Sequence, residues 1–196
     1  MDVGDGFEFK DITAKPLSHP HMSYLGAHIS MMGFFGKIRF KVMIDLGFGD
    51  KVKEIKQDLP LLRTSKGPLF EESISMNCYP KEFIFAEKLE TLIYRGGANS
   101  RMKDYHDLYT MIIEREHLHL QDLKDAIAMV FTHRQTPINL PVQFSEDDLH
   151  SLENYWSSYR KELNHAVLAQ SFPSSIKELI GSLNTWLNDS RLLPDL

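Results

Sequence analysis

The chain has 196 residues, of which 42% are hydrophobic and 25% charged, and a formal net charge of −5. This length admits one large domain or two small ones, and the composition is that of an ordinary soluble globular protein. The acidic balance excludes nucleic-acid binding through bulk charge and leaves it to a local basic patch. The single cysteine, Cys78, excludes an internal disulfide and fits a reducing compartment, so a cytoplasmic protein is expected. No long apolar run and no signal-peptide pattern occur, so no membrane partner is expected.

The first part of the chain reads as strands. Phe7–Phe9 and Ile12–Ala14 are two short candidates, and residues 16–20 form a loop. From Ser23 the pattern alternates, with Leu25, Ala27, Ile29 and Met31 on one face and Tyr24, His28 and Ser30 on the other. Gly33-Phe34-Phe35-Gly36 reads as a hairpin turn. The return strand is clearer. Ile38, Phe40, Val42, Ile44 and Leu46 share one face, and Arg39, Lys41, Met43 and Asp45 the other. Residues 51–70 are polar and read as an irregular connection or edge elements, followed by a short strand at Ile74, Met76 and Cys78.

Helices follow. Tyr79-Pro80 opens the first, with Phe85, Leu89, Leu92 and Ile93 as its apolar stripe and Gly96-Gly97 as its stop. Asn99 or Ser100 caps the second, which runs to about Glu116. Three more are expected: 120–134, one opening at the acidic Ser145-Glu146-Asp147-Asp148, and 173–188. Strands before Tyr79 and helices after it make an α+β order. The expected domains are 1–79, a sheet, and 80–196, a helical bundle.

The stretch between the first two helices carries the site signal. With Arg101 placed at 0° on a helical wheel, Asp104 falls near ~300°, Leu108 near ~340° and Ile112 near ~20°. Two opposite charges therefore lie on the stripe that an ordinary surface helix keeps apolar. A structural ion pair at the helix start and a phosphate or catalytic role are both open readings. Lys88 flanks the stripe of the preceding helix, where a snorkelling lysine is the ordinary reading. Lys103 and Asp107 form an i,i+4 pair, which makes Asp107 mainly structural. Glu87 and Glu90 read as solvated, Cys78 as a buried strand residue, and Trp156 and Trp186 as core. His19-Pro20-His21 and His117-x-His119 lack a third ligand at a suitable spacing and are not read as metal sites. Arg39, Lys41, Lys88, Arg101 and Lys103 are candidates for one phosphate- or RNA-facing surface.

Three ordered segments carry a resemblance: Ile44-Asp45-Leu46-Gly47-Phe48-Gly49-Asp50; Tyr79-Pro80-Lys81-Glu82 leading to Ala86-Glu87-Lys88-Leu89-Glu90; and Gly97-Ala98-Asn99-Ser100-Arg101-Met102-Lys103-Asp104 through Asp107-Leu108. Together they resemble the AbiEii/AbiGii family, nucleotidyltransferase-fold proteins many of which are toxins of bacterial toxin–antitoxin and abortive-infection systems. The resemblance spans about residues 6–134. It implies a partial nucleotidyltransferase sheet, antiparallel or mixed, followed by a C-terminal helical bundle, with nucleotide-contacting helices at 80–116 and accessory helices at 120–190. It implies transfer of a nucleotide from a nucleoside triphosphate to an acceptor such as tRNA, with Mg²⁺ as cofactor and a cognate antitoxin as partner. By position, Asp45 corresponds to a metal ligand, Lys88 and Asp104 to catalytic residues, and Lys88, Arg101 and Lys103 to nucleotide-binding residues.

One family feature is missing. No Gly-Ser turn followed by Asp-x-Asp precedes Asp45, so the chain reads as beginning after that metal motif, with little or no transferase activity alone. The alternatives are a non-catalytic interaction module that binds an antitoxin or itself, and the larger half of a split enzyme.

Overall fold

The computed structural model describes residues 6–17, 26–49, 53–60, 63–68, 73–113, 118–163 and 172–192. Expectations placed on His19, His21, Ser23–Leu25, Glu116 and His117 lie outside them. The chain divides into two compact units, residues 1–50 and 51–196. The secondary structure is α+β, as expected.

The first unit is a three-stranded antiparallel sheet in the order β1 (Phe7–Leu17), β2 (Gly26–Phe35), β3 (Ile38–Leu46). The two short strands expected at 7–14 are one long strand. The break between them is real as a register shift between Lys10 and Thr13, with Asp11 at φ +54°. The extra residue of such a bulge interrupts the alternation without ending the strand. The hairpin turn also moves. Phe35 pairs with Ile38, so the loop is Gly36-Lys37, and Gly36 takes φ +57°. Glycine at the first position of a two-residue loop suits the twist of a hairpin. Gly33 has a different reason to be glycine: it sits opposite Phe40, whose ring would lie 2.4 Å from an added Cβ. The register places Phe7, Phe9, Phe35, Ile38, Phe40, Val42, Ile44 and Leu46 on one face. The other face carries Glu8, Lys10 and Lys15 from β1, His28, Met32 and Phe34 from β2, and Arg39, Lys41 and Asp45 from β3.

In the second unit, the connection expected to be irregular or to hold edge elements contains β4 (Ile55–Pro60), which pairs antiparallel with β7 (Ser73–Cys78). Two short strands, β5 (Arg63–Thr64) and β6 (Gly67–Pro68), pair beyond it. Cys78 ends β7 half-buried rather than buried. Among the described residues five helices follow: α1 (Lys81–Arg95), α2 (Met102–Ile113), α3 (Leu120–Arg134), α4 (Glu146–Glu162) and α5 (Ile176–Asp189).

One core joins the helices. Phe85, Leu89 and Leu92 of α1 meet Tyr105 and Leu108 of α2, Leu123 and Ile127 of α3, Leu152 and Trp156 of α4, and Leu179 and Leu183 of α5. Trp156 is fully buried, and its indole N–H donates to the Pro173 carbonyl at 3.2 Å. Trp186 is only partly buried, packed on Phe85. Serines start the last two helices: Ser145 Oγ accepts the Asp148 N–H and Ser175 Oγ the Glu178 N–H, each satisfying an orphan donor of a first turn.

The link from α1 to α2 fixes the candidate site. Gly96 ends α1 at φ +54°, where its N–H returns to the Leu92 carbonyl, and residues 96–98 make a single 3₁₀ turn. Gly97 then passes so close to the start of α4 that an added Cβ would lie 2.7 Å from the Asp148 Cα and nearer still to its carboxylate. Backbone cannot give way as a flexible side chain does. Gly97→Ala is therefore expected to cost about 1–3 kcal/mol or more through overpacking, measured as a lowered urea midpoint. An unchanged midpoint would show that α4 shifts freely.

Candidate functional site

Asn99 sets the geometry. It is fully buried, and its side-chain oxygen accepts the Arg101 N–H at 3.1 Å. Asparagine is suited to this role because its short amide can bond backbone two residues on. The cap brings the first turn of α2 against α1, and α2 presents Asp104 to a lysine 16 residues earlier.

Lys88 Nζ lies 2.7 Å from Asp104 Oδ1 and 2.9 Å from Asp107 Oδ2. The second oxygen of Asp104 meets Arg101 Nε at 3.0 Å, and Lys103 Nζ stands 3.7 Å from Asp107. The cluster thus holds three cations and two carboxylates, all on α1, α2 and the turn before α2. Its burial is graded: the Asp104 side chain is 6% exposed, Lys88 20%, Arg101 58% and Lys103 79%. The carboxylate is the buried anchor, and the cations fan outward from it.

Burial works against the Lys88 ammonium. The hydrogen bonds to Asp104 and then Asp107 outweigh it, and the lysine pKa is raised above its ordinary 10.5. Lys88 is therefore a fixed cation across the neutral range. It can bind or neutralise an anion but cannot serve as a general base there. Beside the cluster, His106 Nδ1 is 2.8 Å from the Tyr159 hydroxyl and its ring packs on Phe172. Burial pushes the His106 pKa down.

Of the residues expected at the site, Lys88, Arg101, Lys103 and Asp104 meet. Asp45 belongs to the first unit, on the polar face of β3, where its Oδ1 is 2.5 Å from His28 Nδ1. Arg39 and Lys41 share that face of the sheet.

Two expectations need correction. Asp107 is not merely the partner of Lys103, because its stronger contact is with Lys88. Helical spacing within α2 shows only the local pair and hides the partner on α1. Glu90 is not solvated. Its side chain is 3% exposed, Arg134 Nη1 donates to Oε2 at 2.8 Å, and Thr136 Oγ1 donates to Oε1 at 2.5 Å. Glu87 joins the same network through Arg134 at 3.6 Å and through the Tyr79 hydroxyl. His119 pairs with Asp122 on the surface.

A sequence model of the AbiEii nucleotidyl transferase toxin family, from type IV toxin–antitoxin systems, matches residues 3–178. The chain belongs to that family. No curated protein sequence matches it. Nucleotidyl transfer by AbiEii proteins is a chemistry that generally uses a divalent metal, because metal ions stabilise both the attacking and the leaving oxygens. Among the described residues the donor set does not fit that ion. Among the described residues no three His, Cys, Asp or Glu side chains gather as ligands. Both Asp104 oxygens face cations, and Asp45 faces His28. Mg²⁺ takes octahedral oxygen coordination with several ligands, and one exposed carboxylate does not supply it. Among the described residues, no helix is long and apolar enough to cross a membrane.

Proposed function

We propose that this AbiEii-family chain binds the polyphosphate of a nucleoside triphosphate at the Lys88 cluster, in the service of nucleotide transfer to an acceptor such as tRNA. The reaction breaks the bond between the α- and β-phosphates, and negative charge builds on the departing pyrophosphate. Lys88, with Arg101 and Lys103 outside it, offers three cations to that charge. Asp104 holds Lys88 in place from below before the ligand arrives, so little reorganisation is needed on binding. Asp104 does the same for Arg101 and is a positioning group in this reading. Asp45 is the position that corresponds to a metal ligand. A cytoplasmic site of action and an antitoxin counterpart fit the family but are not needed by this chemistry.

The observation that carries the reading is the buried Asp104 carboxylate clamped between Lys88 and Arg101. An ordinary surface helix has no use for that arrangement at its apolar stripe. Among the described residues the donor set does not fit Mg²⁺, which favours binding without efficient turnover by this chain alone.

The test combines calorimetric titration with the four ribonucleoside triphosphates and a radiolabel-transfer assay to tRNA with Mg²⁺. The expected result is triphosphate binding with little or no transfer. Robust turnover by the pure chain would refute the inactivity, and no triphosphate binding at all would refute the site.

A further inference from the structure

We propose that the polar face of the three-stranded sheet is a binding surface for a single-stranded polynucleotide. The register alone builds it. Antiparallel pairing puts Glu8, Phe34 and Arg39 in one row, Lys10, Met32 and Lys41 in the next, Thr13, Ser30 and Met43 in a third, and Lys15, His28 and Asp45 in a fourth. The outer strands therefore carry the cations, Lys10 and Lys15 on β1 and Arg39 and Lys41 on β3. The central strand carries the apolar groups, Phe34 and Met32. With strands ~4.8 Å apart, the two cationic rims stand about 10 Å from each other.

The charges on this face are not equivalent. Glu8 is held by Lys10 at 2.6 Å and Asp45 by His28 at 2.5 Å. Lys15, Arg39 and Lys41 make no ion pair among the described residues. Three cations thus remain for an outside partner, in a chain whose net charge is −5. Arg39 and Lys41 alternate along β3, about 7 Å apart. The Phe34 ring is half-buried with the Lys10 ammonium 5.5 Å from its centre.

An aromatic and a thioether between two basic rims suit an unpaired base over the middle strand, with its backbone along a rim. A duplex keeps its bases stacked inside and would match the rims but not Phe34 and Met32. An anionic membrane surface would want exposed basic groups without a central ring held in place. The inference rests on the proposed function only in taking the polynucleotide to be the acceptor. Binding itself requires no triphosphate and no transfer.

The experiment is fluorescence anisotropy of the full chain, without nucleotide, against labelled ten-residue oligo-uridine, oligo-deoxythymidine and a duplex of equal length, over a salt series. Single strands are expected to bind more tightly than the duplex. Three neutralised phosphates give a slope of log affinity against log salt of about −2. Lys15→Ser, Arg39→Ser and Lys41→Ser together should flatten that slope, and Phe34→Ser should weaken binding about tenfold. Lys37→Glu, in the hairpin turn, should change little. All of the charge variants sit on exposed positions, so they decide the matter even if Phe34→Ser fails to fold. Equal or tighter duplex binding, stronger binding to phosphatidylserine vesicles, or a triple variant that binds like the parent would each overturn the proposal. Single-strand binding that survives in a chain with no triphosphate affinity would sink the Lys88 reading and leave this surface standing.

Discussion

Arg134→Met is expected to destabilise the helical unit by about 3–5 kcal/mol, the usual cost of removing one partner of a buried ion pair. The Arg134 side chain is 12% exposed and lies against two glutamates of α1, Glu90 at 2.8 Å and Glu87 at 3.6 Å. Without the guanidinium, the Glu90 carboxylate keeps, among the described residues, only the Thr136 hydroxyl. An uncompensated buried charge is what makes such a change costly. Replacing the whole group, Glu90→Leu with Arg134→Met and Thr136→Val, should recover most of the loss, because no polar atom is then stranded. Urea unfolding of the single and triple variants measures both effects. A single-variant loss below about 1 kcal/mol would mean that the network is effectively a surface feature.

The same network shows where reading the sequence reaches its limit. Glu90 sits two residues from Lys88 and 46 from Thr136, and no periodicity within α1 announces a partner at that separation. Its position on the wheel looks solvated until α3 is laid against it. Local chemistry fared better. The alternation from Ile38 to Leu46 gives β3 its bounds and faces, because a period of two is fixed by the pleat. The helix at 120–134 followed from apolar spacing, the one at 146–162 from apolar spacing and its acidic first turn, and the one expected at 173–188 spans Ile176–Asp189. The strand at Ile55–Pro60 was open only as an edge element without bounds, because lysine, glutamine and aspartate separate its only two large apolar residues and proline ends it. The hairpin turn was displaced for a related reason: Gly33 looks like punctuation in the sequence, and only the Phe40 ring across the strand shows that it makes room. At the candidate site, the wheel brought Arg101 and Asp104 to one stripe, and the structure adds what no wheel can, the second carboxylate on Lys88.

That second carboxylate gives the other large expected effect. Lys88→Ala should weaken binding of inorganic tripolyphosphate at least tenfold, in line with the loss of a charge-assisted contact of about 1.5–3 kcal/mol. Asp107→Asn should do the reverse and strengthen binding a few-fold. Asp107 approaches Lys88 at 2.9 Å with a side chain 30% exposed, so it competes with an incoming phosphate, whereas the nearly buried Asp104 still holds the ammonium from below. The sign of the pH dependence is fixed as well. The Lys88 pKa is raised, so its pairing stabilises the fold fully below about 10.5 and is lost as pH rises through the higher folded value. Lysine titration therefore does not limit binding across the neutral range, and calorimetry there compares the variants at constant Lys88 charge. Thermal melts of both variants separate lost binding from lost structure. If Asp107→Asn binds tripolyphosphate more weakly while melting like the parent, Asp107 orients Lys88 rather than competing for it. The clamp would then be a two-point mount for one ammonium, and both Asp104 and Asp107 would be needed for the polyphosphate to be held.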